Sequence, residues 1–488
     1  MTIAKTLKPL AAAAALLCAC LSAGAATLVV QSRDPAGVGF NDPTPVDPVG
    51  GNTGTTLGQQ RMNVYLFVAK LWGDALDSSQ TIHVNAGWEA LTCNSGTAVL
   101  GSASAWNYWH DFAGGKPGTW YPQALANKLS GTNLSEGQAD DGSGYGNVDI
   151  KTQFNVNLGN AGCLDGISFY LGLDGKAGAK VNFMTTLLHE IGHGLGFSLG
   201  YTSTSTGRRV NADASAYDDV NGLPSIWEGF MYDNTLGKTW LETTSPIERK
   251  FSAINPAGLA WSGANVVAGY AQLKATGGSL RITSPAPGGG GAYGYGTAAF
   301  GPTVAAPMAL GHVVDTGSQA CSALAANSLQ GKVAVVDRGT CNFAVKARAA
   351  QDAGAVGVIV VNNTSGGAPG MGGDGVTVVS IPTVSLTQAD GAKLRSMIAN
   401  ATKYGSRSTP GRVNASVSTD APSVAGADAG GRPLLYTPSA LASGSSVSHW
   451  DTSALPNLLM EPNINQDLTN NLVPPWDLTL PLLKDIGW

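Results

Sequence analysis

Leu187-Leu-His-Glu-Ile-Gly-His-Gly-Leu-Gly-Phe197 is the stretch on which the reading of this chain turns. His189 and His193 stand four positions apart, with Glu190 beside the first. A four-residue step carries a helix about 40° past a full turn, so both imidazoles leave one face. Two neutral imidazoles there can grip a Zn2+, and the adjacent carboxylate can take a proton from a metal-activated water. Val181, Met184, Leu188, Ile191 and Leu195 recur at three- and four-residue steps, the pattern of a packed helix. Gly192, Gly194 and Gly196 crowd its last turn, although each glycine costs a helix about 1 kcal/mol relative to alanine. The backbone is expected to pass close to a neighbour there and then stop, with Gly196 as the C-terminal cap.

Two histidines and a water leave a catalytic zinc one protein ligand short. The chain has six histidines: His83, His110, His189, His193, His312 and His449. The compact continuation His-Glu-x-x-His-x-x-Gly-x-x-His would put a third histidine at a position held by Leu199. Three completions stay open on the residues alone. A carboxylate such as Asp213, Asp218 or Glu228 could close the site, His83 or His110 could approach from the N-terminal side, or His449 could return from far along the chain.

His449 lies in Gly444-Ser-Ser-Val-Ser-His-Trp-Asp451, and Met460 follows in Leu458-Leu-Met-Glu-Pro462. On these residues and the helix motif, the sequence resembles the leishmanolysin type of metzincin. In that family an insertion separates the helix from a Ser-His-Trp segment, and a methionine turn lies beneath the metal. The resemblance implies His189, His193 and His449 as zinc ligands, Glu190 as general base and Met460 as the turn methionine. It covers only the helix and the last forty or so residues. The 256 positions from His193 to His449 (449 − 193) are far more than that family leads us to expect.

The interval has its own reading. Lys332–Asp337 is a valine-rich strand, Phe343–Asp352 has helical composition, and Ala355–Val361 is a second apolar strand. Gly331-Lys-Val-Ala-Val-Val-Asp-Arg-Gly339, Cys341-x-Phe343 and Ala353-Gly-Ala-x-Gly-Val-Ile-Val-Val-Asn-Asn363 resemble the protease-associated (PA) domain over roughly 285–400, with Ser380–Leu386 as its later strand. Such a domain implies no chemistry of its own; it guides substrates, restricts access or binds partners. The layout is then similar to that of secreted bacterial peptidases with a PA domain inserted in the catalytic domain.

The expected fold is α+β: a metzincin-like zinc peptidase catalytic domain interrupted by a small α/β PA domain. Residues 1–25 read as a signal peptide, 26–284 as the first catalytic segment, 285–405 as the insert and 406–488 as the second catalytic segment. Gln59–Gly73 reads as a helix and Thr81–Asn85 as a strand at a sheet edge above the cleft. The stretches 284–296 and 404–432 read as linkers, and Thr479–Lys484 as a packed helix with Trp488 buried after it.

Lys5, Lys8, the apolar run Leu10–Leu21 and Ala23-Gly24-Ala25 make the leader an export signal, cleaved before Ala26. Cys20 sits in a poor lipoprotein box, so the expected location is secreted, extracellular or periplasmic, without a lipid anchor. No later stretch reaches the ~18 apolar residues of a membrane span. Loss of the two leader lysines moves the net charge from −5 to −7 (−5 − 2), and with no basic cluster this excludes nucleic acid as the partner. Protein or peptide substrates are expected instead. Cys93, Cys163, Cys321 and Cys341 remain, and the domain division prefers Cys93–Cys163 and Cys321–Cys341 among three pairings.

Asp140, Asp141 and Asp149 could hold Ca2+, but they lack EF-hand spacing and favour a solvated loop. Asp451 is a candidate to orient an imidazole, and Tyr201 or Tyr217 to assist the oxyanion. The function expected is a zinc endopeptidase. The alternative is a non-catalytic extracellular binding protein with a structural metal, which four protein ligands and no open position would favour.

Overall fold

The computed structural model describes residues 24–95, 97–136, 147–286, 289–364, 367–404, 411–464 and 468–488. The leader proper and the pair Asp140 and Asp141 lie outside them.

The first segment is organised on a four-stranded sheet. Its strands are β1 (Leu28–Ser32), β2 (Ile82–Glu89), β3 (Gly101–Ala105) and β4 (Ile150–Asn155), in the spatial order β1-β2-β4-β3. The first three run parallel, and β3 closes one edge antiparallel to β4. Thr81–Asn85 therefore does not form the edge. It opens β2, which β1 covers on one side, and β3 is the edge that borders the cleft.

The helix Leu57–Ala75 begins where the Thr56 hydroxyl accepts from Gln59 N–H. Its buried face carries Tyr65, Val68 and Trp72. The Trp72 indole N–H donates to Leu188 O, which ties this helix to the one bearing the histidines. Phe154 and Phe183 meet edge to face at 4.9 Å, with Tyr65 and Trp88 around them.

Leu259–Trp261, the last strand before the insert, meets the returning chain at 433–435 within this core. Trp261 N–H donates to Pro433 O and Leu435 N–H to Leu259 O, so the two stretches lie side by side. Both segments then share one apolar core, in which Leu188, Ile191, Phe197 and Trp227 pack with Trp450, Leu459, Met460 and Leu483. The C-terminal helix is Thr479–Ile486, and Trp488 beyond it is half-buried.

Between the two segments stands an eight-stranded sheet with its own two cores. Met308–Asp315, Val333–Asp337, Gly357–Val361 and Thr383–Leu386 form its parallel centre. Strand side chains alternate between faces. Val333, Val335 and Ile359 pack under the helix Gln388–Ala401, and Ala334, Val336 and Val360 under the helix Phe343–Asp352. The stretches read as linkers hold part of this sheet. Gly290–Tyr293 lies in the first and Asn414–Ser418 in the second, the latter paired with Ser279–Thr283. The insert's sheet thus reaches from Ser279 to Ser418, wider at both ends than 285–405. Gly, Ser and Ala neighbours hid these strands. Among the described residues, no helix is long and apolar enough to cross a membrane.

Candidate metal centre

The helix Phe183–Leu195 starts where the Asn182 side chain accepts from Thr185 N–H, and it ends at Gly196 (φ 121°). Its residues are buried on every side, His193 only partly, as suits a helix running through a core. Each glycine of the motif meets a specific neighbour. A Cβ on Gly192 would lie 2.9 Å from Met460 Sδ, one on Gly194 2.2 Å from Ile150 Cγ2, and one on Gly196 2.9 Å from Pro122 Cγ. For Gly194→Ala, overpacking of about 1–3 kcal/mol outweighs the roughly 1 kcal/mol that alanine gives a helix. A net loss of up to about 2 kcal/mol is expected in denaturant unfolding; a raised midpoint would show that β4 yields freely.

His189, His193 and His449 converge. The His193 Nε2 atom lies 3.1 Å from His189 Nε2 and 3.2 Å from His449 Nε2. These nitrogens cannot be bonding one another. Each ring points its Nδ1 at a backbone carbonyl, which only accepts: His189 at Leu459 O (2.7 Å), His193 at Phe197 O (2.7 Å) and His449 at Ser445 O (2.9 Å). Every Nδ1 therefore carries its proton, and every neutral Nε2 presents a lone pair. Three converging lone pairs repel unless a cation lies between them. Nitrogens about 2.0 Å from one tetrahedral Zn2+ would stand about 3.3 Å apart, so the donor set fits that ion.

Burial keeps the rings neutral. It pushes His189 down to about 3, with neighbouring His193 adding to the effect, and His193 down to about 4. Burial also holds His449 well below the ordinary histidine range. Glu190 is buried and is pushed up to about 8, opposed by a hydrogen bond from Ala103 N–H on the edge strand. A bound cation would draw that value down.

Met460 is fully buried and seated against Gly192, and its carbonyl accepts from Trp450 N–H. Trp450 in turn meets Phe197 edge to face. Val447 holds φ 60°, a costly conformation for a β-branched residue, at the turn that brings the Ser445 carbonyl back to His449.

The other candidates are elsewhere. Asp451 orients no imidazole. Its Oδ1 accepts from Ser453 N–H, and backbone carbonyls take the orienting role. Glu228 is buried against Arg209, Thr202 and Ser225 N–H, while Asp213 and Asp218 bond within their own loops. The Nδ1 and Nε2 of His110 are held by Asp111 and Ala212 O, and His83 lies beside Gln31. Tyr201 packs at a tilt against Tyr108 and Tyr217 is exposed, and neither lines the cleft. Asp149 is buried, accepting from His83 N–H and Asn127 Nδ2. Burial raises it to about 7.

The three rings and Glu190 lie in a cleft of about 1150 Å³. One wall is β3 with residues 175–182. Residues 198–200, Thr202, Thr204, 443–446, Ser448, His449 and 462–464 line much of the rest. Among the described residues, the three histidines are the only group of His, Cys, Asp or Glu placed to share a metal ion. Disulfides join Cys93 to Cys163 and Cys321 to Cys341. The former ties the hairpin leading into β3 to the loop after β4.

Residues 300–394 match the PA domain family. The insert is a PA domain. Over 71 residues the chain is 41% identical to leucine aminopeptidase 2 of Trichophyton equinum, covering 14% of each. Over 74 residues it is 46% identical to the minor extracellular protease Vpr of Bacillus subtilis, covering 14% of this chain and 8% of that one. The chain thus spans about a seventh or less of the curated relatives it matches, and no matched stretch is longer than the PA domain. Among solved structures, the aminopeptidase from Aneurinibacillus sp. strain AM-1 overlaps 30% of this chain and 31% of its own, at 18% identity and TM-score 0.21. BSAP, a zinc aminopeptidase from Bacillus subtilis, overlaps 32% and 35%, at 16% identity and TM-score 0.21.

Proposed function

We propose that the chain is a secreted, metzincin-like zinc endopeptidase whose catalytic domain is built from the segments either side of the PA domain. The observation that carries this reading is the convergence of three proton-free imidazole nitrogens, beside a buried carboxylate, on the floor of an open cleft. Three protein donors with space beside them suit a catalytic ion better than a structural one, which would be closed by four.

Bound there by His189, His193 and His449, Zn2+ would act as a Lewis acid on the scissile carbonyl and on water. Glu190 then serves as general base, accepting the proton of the attacking water, and afterwards as acid, returning it to the leaving amine. Ala103 N–H favours the ionised form of the carboxylate that the first step needs. The outward backbone of β3 offers hydrogen bonds to an extended peptide lying along the cleft. Met460 supports the helix from below and takes no part in proton transfer.

Several relatives are named as aminopeptidases, but two features favour internal cleavage. Among the described residues lining the cleft, Glu190 is the sole carboxylate, so no second one remains to seat a substrate's terminal ammonium. A second metal would also need ligands beyond these three histidines. The two disulfides agree with an oxidising, extracytoplasmic setting.

The test is hydrolysis of an N-acetylated peptide and of casein by the purified chain, with a zinc chelator and then added metal. Chelation is expected to abolish cleavage, and zinc but not calcium to restore it. Release of only the first residue from unblocked peptides would replace the endopeptidase by an aminopeptidase. Chelator-resistant cleavage would remove the metal.

A further inference from the structure

Resting on the peptidase reading, we propose that Lys176 and Lys180 make the cleft selective for substrates with an acidic side chain beside the scissile bond. The two lysines lie in Gly175-Lys-Ala-Gly-Ala-Lys180, which forms part of the cleft wall next to the strand-to-helix entry at Asn182. Among the described residues of that lining, they are the only lysine or arginine side chains, and Glu190 is the only carboxylate. Both are exposed, and among the described residues neither ammonium makes an ion pair or side-chain hydrogen bond. The carboxylate of nearby Asp174 accepts from the Tyr170 hydroxyl and the Lys176 backbone N–H, and it attracts the Lys176 ammonium without closing an ion pair with it.

The loop between the lysines does little but present them. Gly175 (φ 72°) and Gly178 (φ 60°) turn the backbone, and Lys180 N–H closes the turn on Ala177 O. Alanine and glycine leave no bulk between the two ammonium groups and a bound peptide. The chain as a whole is acidic, with a net charge of −5, so a locally positive wall stands out in the field an approaching substrate meets. Other residues lining the cleft are small and polar, among them Ser198, Gly200, Thr202, Ser445 and Ser448. They supply no opposing charge. An Asp or Glu side chain reaching the lysine wall would pair with one ammonium or bridge both, in a half-solvated setting. Contacts of this kind act on encounter and orientation and weaken with salt.

The experiment compares kcat/KM for N-acetylated peptides that differ only in Glu against Gln, with the substitution moved across three positions on each side of the cut. At one position the Glu peptide is expected to be cleaved about three- to tenfold faster in low salt, the scale of one or two exposed ion pairs. The advantage should shrink several-fold at 0.5 M salt. In Lys176→Gln/Lys180→Gln the ratio should fall to near one, and in Lys274→Gln/Lys403→Gln, which removes two charges elsewhere, it should persist. A flat ratio at all positions, or one that survives the cleft substitutions, overturns the proposal. Binding of the same peptide pairs to the zinc-loaded Glu190→Gln protein, by fluorescence anisotropy, reads the preference without turnover. Failure to cleave any peptide would sink the peptidase reading alone, while equal binding of Glu and Gln peptides would sink this one.

Discussion

Glu190→Gln is expected to leave one zinc per chain and to lower peptide hydrolysis by about 10²–10⁴-fold, the usual contribution of a general base. The amide has nearly the shape of the carboxylate, and its oxygen can still accept from Ala103 N–H, so the helix and cleft should survive. What disappears is the basic oxygen that takes a proton from water. Metal content by mass spectrometry and kcat/KM on a blocked peptide are the two measurements. Retained zinc with lost turnover assigns Glu190 to the chemistry. Retained turnover would mean that another group accepts the proton, and among the described lining residues there is no other carboxylate. Loss of zinc would instead make Glu190 part of the metal's support.

His449→Ala should have the second large effect, on occupancy before activity. The two helical imidazoles remain, each fixed by its carbonyl, but two donors hold zinc poorly. Loss of an outer partner alone costs about 10–100-fold in affinity, and deleting a ligand should exceed that. Competition with a chromophoric chelator would measure it. Asp213→Asn is the matched control. Its side chain bonds within its own exposed loop, so zinc affinity should hold. If His449→Ala kept its zinc and Asp213→Asn lost it, the ion would belong with a carboxylate and the present arrangement would fail.

The helix was readable because its signals are local. His189 and His193 share a face by spacing, and the glycines announce close contacts. The partners in those contacts were hidden, since Ile150 and Met460 are remote in sequence and nothing in the motif names them. The edge strand was missed for a different reason. Gly101-Ser-Ala-Ser-Ala105 has neither β-branched nor aromatic residues, so its strand character comes from pairing with β4 and not from propensity. The orienting groups were unreadable in principle. A carbonyl such as Leu459 O or Ser445 O belongs to every residue type, and Asp451 drew attention only because it has a charged side chain. The insert's centre declared itself through valine-rich strands. Its last strand in the chain, Asn414–Ser418, did not, because small polar residues there look like a linker.

The pairing of Leu259–Trp261 with the returning segment 433–435 has a temporal consequence. A ribosome delivers His189 and His193 about 250 residues before His449. At about 5–20 residues per second, that interval lasts on the order of 10–50 s. Throughout it the newborn polypeptide owns only two of the three rings, and its cleft lacks the whole wall that carries the last one. Whatever cutting power the finished molecule has is withheld from the cell that makes it until the final stretch of chain has emerged and folded home.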